Sequence, residues 1–182
     1  MNHCMIDLET LGTLPGSVIM SLGAVAFNQG RDEANFYTNI GINSCLNTGM
    51  VVDAGAIKFW FTQTTQEARG VLFTGLVGLR EALHSFNEFW KTNNCKWLWS
   101  HGLNFDVPHL DVAYGLAGYN EFRPWGFREC RDTRTIFSLL PGGKAPEVTR
   151  HSGQHNALSD AVYQAELVRR AYVQLGREME AA

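Results

Sequence analysis

The chain has 182 residues, 45% of them hydrophobic and 18% charged, with a formal net charge of −3. That size and apolar share fit one compact domain spanning residues 1–182 with a sizeable core, and exclude wholesale disorder. The acidic balance does not mark a general nucleic-acid binder, and the longest apolar run, residues 18–27, is too short to span a bilayer. Carboxylates interrupt the N-terminal apolar residues at once, so no secretory leader and no membrane partner are expected, and the default location is cytoplasmic. Cys4, Cys45, Cys95 and Cys130 are scattered without a CxxC pair. They read as reduced structural thiols, neither a zinc site nor a disulfide framework.

In chain order, residues 3–8 read as a first strand. Residues 17–27 form a second, apolar strand after the turn Gly12-Thr13-Leu14-Pro15-Gly16, and residues 34–40 a third. Hairpin-like links make these three antiparallel. The pattern then turns helical. One or two short helices are predicted over 53–70, with Asp53 as a cap. An amphipathic helix over about 76–93 carries Leu79, Leu83, Phe86, Phe89 and Trp90 on one face. Residues 96–100 form a compact strand. Asp106 and Pro108 open a helix running to about Ala117. A short strand near 127–130, a helix over 132–140, a loop at Pro141-Gly142-Gly143 and a last helix over 156–176 follow. The class is therefore α/β: a mixed five-stranded sheet, three antiparallel plus two parallel strands, flanked by helices.

The first strand ends unusually. In Met5-Ile6-Asp7-Leu8-Glu9-Thr10 an apolar run closes on two carboxylates one residue apart. In a strand they project to the same face, with Leu8 turned away. Two adjacent acids repel and resist desolvation, so a divalent cation is the natural compensation. Asp106 sits at a strand-to-helix junction, where ligand sites of α/β sheets gather, although alone it reads as a helix cap. Asp160 lies in the first turns of the last helix, five residues after His155. Alone, it reads as a first-turn acid complementing the helix dipole. Together, Asp7, Glu9, Asp106 and Asp160 meet the specification of a two-cation phosphodiesterase, with hard oxygen ligands suited to Mg²⁺ or Mn²⁺. His155 suits the task of taking a proton from water near neutrality. Without metal, at least one of these acids should have a raised pKa.

Three motifs in this order resemble the DEDDh, or DnaQ-like, 3′-5′ exonucleases. They are D-x-E-T as Asp7-Leu8-Glu9-Thr10, the Phe105-Asp106 pair after a strand and turn, and His155 followed four residues later by Ser159-Asp160. Nearly the whole chain is also similar to the branch of mycobacterial exoribonuclease-like and phage exonucleases, in AIKFWFTQTTQEA, PWGFRECRDTRTIF and HNALSDAVYQAELV. The resemblance implies an RNase H-like fold, two divalent cations (Mg²⁺ or Mn²⁺), and stepwise release of 5′-mononucleotides from a free 3′ end of single-stranded nucleic acid. It implies that Asp7, Glu9, Asp106 and Asp160 are metal ligands and His155 the general base. Thr10 and Leu11 would border the terminal nucleotide. Phe105 reads as core. Trp60 is a stacking candidate against a base, with core packing beside Phe59 and Phe61 as the alternative. Eleven of the fifteen cationic residues are arginines. Of these, Arg128, Arg131 and Arg134 beside the fifth strand are candidates for phosphate contacts, or Arg131 and Arg134 for pairing with Asp132. His101, His109, His151 and Asp111 match no motif. DNA is slightly favoured over RNA, and a homodimer is an option that no apolar stripe marks. The competing readings are an RNase H-type endonuclease and a non-catalytic binding module.

Overall fold

The computed structural model describes residues 2–30, 33–74, 77–150 and 155–179. Strand β1 (His3–Thr10) is the centre of a five-stranded sheet of order β3-β2-β1-β4-β5. Strands β2 (Ile19–Phe27) and β3 (Glu33–Asn39) extend it on one side, each antiparallel to its neighbour. A short helix α1 (Ile42–Leu46), not foreseen, follows β3. The predicted helical stretch over 53–70 is broken into α2 (Ala54–Gln63), α3 (Gln66–Arg69) and α4 (Val71–Thr74). The break has a local cause. The Thr64 hydroxyl donates back to the Trp60 carbonyl, and Thr65 is extended and caps the next helix by accepting from the Ala68 N–H. Asp53 caps α2 as expected, accepting from the Ala56 N–H at 3.0 Å.

Helix α5 (Leu79–Thr92) leads into β4 (Trp97–Ser100), which pairs in parallel with β1. Helix α6 (Asp106–Leu116) follows. Strand β5 (Cys130–Asp132) is parallel to β4 and begins three residues later than the sequence reading placed it. A three-residue edge strand has too few positions to show a period, and Phe127, read as its first residue, is 81% exposed. Helix α7 (Thr133–Ser138) starts at the Asp132 cap, and α8 (Ala157–Gln174) closes the chain.

Alternation along β1 divides the core in two. Cys4, Ile6 and Leu8 point into a cluster with Trp60, Leu83, Phe86, Leu110 and Tyr114 from α2, α5 and α6. Met5 points the other way, into a cluster with Val25, Phe27, Trp99, Ile136, Ala161, Ala165 and Val168 under α7 and α8. Asp7 and Glu9 share the parity of Met5, so they emerge on the α8 side. Among the described residues no helix is long and apolar enough to cross a membrane.

Candidate active site

Strands β1 and β4 run parallel, so their carboxyl ends open at the same edge of the sheet. Asp7 and Glu9 stand there on β1. The register of β1 against β2 slips between Glu9 and Thr10, a bulge that ends regular pairing beside the acids. Asp106, the first residue of α6, is 4% exposed, and the Leu8 backbone N–H lies near enough to its carboxylate to favour the charged form.

Asp160 arrives through a close approach. Gly23 on β2 pairs across the ladder with Asp7, and a Cβ there would lie 2.2 Å from the Ala157 carbonyl carbon and 2.3 Å from the Leu158 nitrogen. Only a residue without a side chain lets the first turn of α8 rest on the strand. Asn156 caps that turn, accepting from the Ser159 N–H at 3.0 Å. As a result Asp7, Glu9 and Asp160 each offer a carboxylate oxygen within 4.8 Å of the others. Gln164, one turn after Asp160, donates its amide to Asp7 Oδ1 at 2.8 Å. The Arg150 guanidinium pairs with the Asp160 carboxylate and lies over the Tyr163 ring.

The electrostatics follow from this crowding. Burial, then the charges of Asp106 and Glu9, raise the Asp7 carboxyl well above its usual range, against the Gln164 hydrogen bond and the Arg150 charge. Burial and the Asp106 charge push Glu9 up to about 8. Burial pushes Asp106 up to about 7, opposed by the Leu8 N–H and by the nearby charge of Arg134. The expectation of a raised acid therefore holds for three of the four. Such a set binds protons tightly until a stronger cation displaces them, and its hard oxygen donors fit a small divalent ion.

His155 is half-buried, with its backbone in the left-handed region at φ +62°. Its backbone N–H donates to Asp160 Oδ2 at 3.0 Å, which explains how that conformation is held. The rings of Phe59 and Trp60 meet the imidazole edge-on at 5.3 and 6.2 Å. Burial and the Arg150 charge lower its pKa, so the ring is neutral near pH 7.

A cleft of about 510 Å³ opens over the acids, bounded by Thr10, Gly12, Phe59, Phe105 and His155. Several sequence expectations change here. Trp60 is 2% exposed, and its indole N–H donates to the Thr10 carbonyl at 2.9 Å. It supports the end of β1 and has no free face for a base, whereas Phe59 beside it is 39% exposed. Leu11 is buried in the core cluster and does not reach the cleft. Phe105, expected in the core, lines the cleft and packs on His109 at 4.4 Å. Arg128 lies over Phe127 at the amino end of β5, away from the carboxyl-end edge where the acids gather. Arg131 stacks on Trp97 at 4.0 Å and donates to the Arg128 and Cys130 carbonyls. Neither borders the acids, but Arg134, at the other end of β5, does. Asp132 accepts from the backbone N–H groups of Arg134 and Leu103 and pairs with neither guanidinium. His109 donates from Nδ1 to the Phe105 carbonyl at 2.7 Å, and Asp111 pairs with Arg123. His101 bonds the Thr133 hydroxyl beside the site, and His151 lies outside the described residues.

Sequence reasoning missed Gln164, Phe59, Arg150 and Gly23. Gln164 had a signal, its spacing of four from Asp160 on one helix face. Phe59 had its place beside Trp60. Arg150 had none.

In class the chain is a domain of 3′-5′ exonuclease type, built on an RNase H-like mixed sheet. It belongs to the Rv2179c-like family: the model of the 3′-5′ exoribonuclease Rv2179c-like domain matches residues 2–172. No curated protein matches it in sequence. In fold it is similar to E. coli Exonuclease I, solved in complex with a dT13 oligonucleotide, with a TM-score of 0.65 and 15% identity. That alignment covers 96% of this chain and 41% of the other, so the chain spans less than half the length of that enzyme.

Proposed function

We propose that the chain trims the 3′ end of single-stranded nucleic acid, RNA in preference to DNA, releasing 5′-mononucleotides with two divalent cations, Mg²⁺ or Mn²⁺. The observation that carries this reading is the meeting of Asp7, Glu9 and Asp160 within 4.8 Å, with Asp106 close enough to raise the pKa values of Asp7 and Glu9. In the proposal these four carboxylates hold the cations. When bound, the cations neutralise charge on the attacking and leaving oxygens of the phosphodiester. His155, neutral and edge-packed by Phe59 and Trp60, takes the proton from the attacking water. The terminal nucleoside occupies the cleft over Thr10 and Gly12, where the exposed face of Phe59 and the ring of Phe105 offer stacking surfaces. Gln164 orients Asp7, and Arg150 stands in for a cation at Asp160 until metal arrives.

The preference for RNA rests on the activity named for the family. The motif resemblance to phage enzymes favours DNA instead, and one experiment decides. Matched DNA and RNA strands, both 5′-labelled, are incubated with Mn²⁺ beside an Asp160→Ala control. Progressive shortening of the RNA, absent in the control, is expected. Faster shortening of the DNA reverses the sugar assignment. Internal fragments indicate an endonuclease, and no shortening of either strand refutes the exonuclease reading.

A further inference from the structure

A second, polar cleft of about 410 Å³ lies beside the first. The two share Asp7, Leu8, Thr13 and Phe105, so they are continuous around the first carboxylate. The second cleft is walled by His101, Asn104 and Arg134. Gly102, whose φ is +101°, makes room for the arginine. A Cβ at Gly102 would lie 2.9 Å from Arg134 Nη1 and 3.2 Å from Cζ, so the guanidinium lies directly over that backbone.

Among the described residues the Arg134 guanidinium makes no ion pair and no hydrogen bond. Asp132, the acid nearest in sequence, is engaged by backbone N–H groups through both of its oxygens. The contrast with Arg150 is informative. An arginine whose role is to neutralise the acids pairs with one, as Arg150 does with Asp160. Arg134 is close enough for its charge to lower the pKa values of Asp106 and His101, but its donors remain open. A guanidinium with open donors in a cleft that continues from the acids matches a phosphodiester's paired non-bridging oxygens.

We propose that this cleft is a phosphate subsite, in which Arg134 binds a phosphodiester on the 5′ side of the scissile bond. The inference rests on the exonuclease reading above. The contact is to phosphate, common to DNA and RNA, so it sets grip and register of the strand without choosing the sugar.

The test compares the wild-type protein and Arg134→Gln on strands in which a neutral methylphosphonate replaces the phosphate at each of the first few linkages upstream of the scissile one. At one linkage the wild type is expected to lose about tenfold or more in kcat/KM. Arg134→Gln is expected to show a loss of that size on the unmodified strand and none further at that linkage. Arg134→Lys should recover part of it. Additive losses at every linkage, or an unchanged rate in Arg134→Gln, overturn the subsite. Equal sensitivity at every linkage with a shifted metal-titration midpoint also overturns it, because Arg134 then acts only on the acids. A wild type that leaves the unmodified strand intact overturns the exonuclease reading itself, a result distinct from the others.

Discussion

Gly23→Ala isolates the close approach that assembles the site. Gly23 sits in extended backbone on β2, directly across from Asp7, so alanine is conformationally acceptable there. The effect therefore comes from the added methyl alone. That carbon would meet the Ala157 carbonyl carbon at 2.2 Å and the Ala157 oxygen at 2.4 Å. Ordinary carbon contacts need ~3.5 Å, so the start of α8 must retreat by about 1 Å. The obstacle is backbone within a capped helical turn, which cannot rotate aside as a side chain could. The turn carries Asp160 and, through its bond to Asp160 Oδ2, the His155 backbone. A displacement of about 1 Å in catalytic groups lowers rate roughly 100-fold, and overpacking destabilises by about 1–3 kcal/mol. The assay is single-turnover release of the terminal nucleotide with saturating Mn²⁺, beside thermal unfolding with and without metal. We expect a folded protein with lowered Tm, kcat reduced about 100-fold and a weakened metal dependence. Wild-type kcat together with wild-type Tm would refute the claim that this glycine seats α8 against the acids.

Stability without divalent ions should fall as pH rises from about 5 to 8. Glu9 and Asp106 hold protons up to about 8 and about 7 in the folded chain but release them near 4.5 and 3.8 when unfolded. The folded state thus binds more protons in that window, and the slope is negative; chemical denaturation at several pH values, flattened by Mg²⁺ or Mn²⁺, checks it. Asp7→Asn should abolish hydrolysis yet raise the Tm of the metal-free protein, because it removes a crowded, buried acid that must be held protonated and keeps an oxygen for Gln164. A lowered Tm would count against this crowding as the dominant strain. His155→Ala should reduce kcat by about 10²–10⁴ while leaving the metal-titration midpoint unchanged. Trp60→Phe removes the donor to the buried Thr10 carbonyl and should destabilise by about 1–3 kcal/mol, read by denaturant melts.

What was legible in the sequence, and what was not, divides along a physical line. The central strands and α8 have long, regular patterns of apolar residues, and their assignment follows from period alone. Strand β5 has three residues, and α2 to α4 are interrupted by hydroxyl bonds and a cap, so neither has a period to read. The acids were legible because each stands at the end of an element within a short motif. The groups that make four acids tolerable were not, because they reach the site from far along the chain. Gln164 meets Asp7 across 157 residues. Gly23 admits α8 across more than a hundred, and Arg134 rests on Gly102 through a contact that neither neighbourhood announces. The choice at Trp60 between stacking and core packing was closed to the sequence for a related reason. Trp60 and Phe59 are adjacent on one helix and equally aromatic, and only the position of the Thr10 carbonyl makes the tryptophan a support and leaves the phenylalanine facing the cleft. Local chemistry identifies the candidate groups, while the tertiary contacts that oppose their repulsion decide whether they can be brought together.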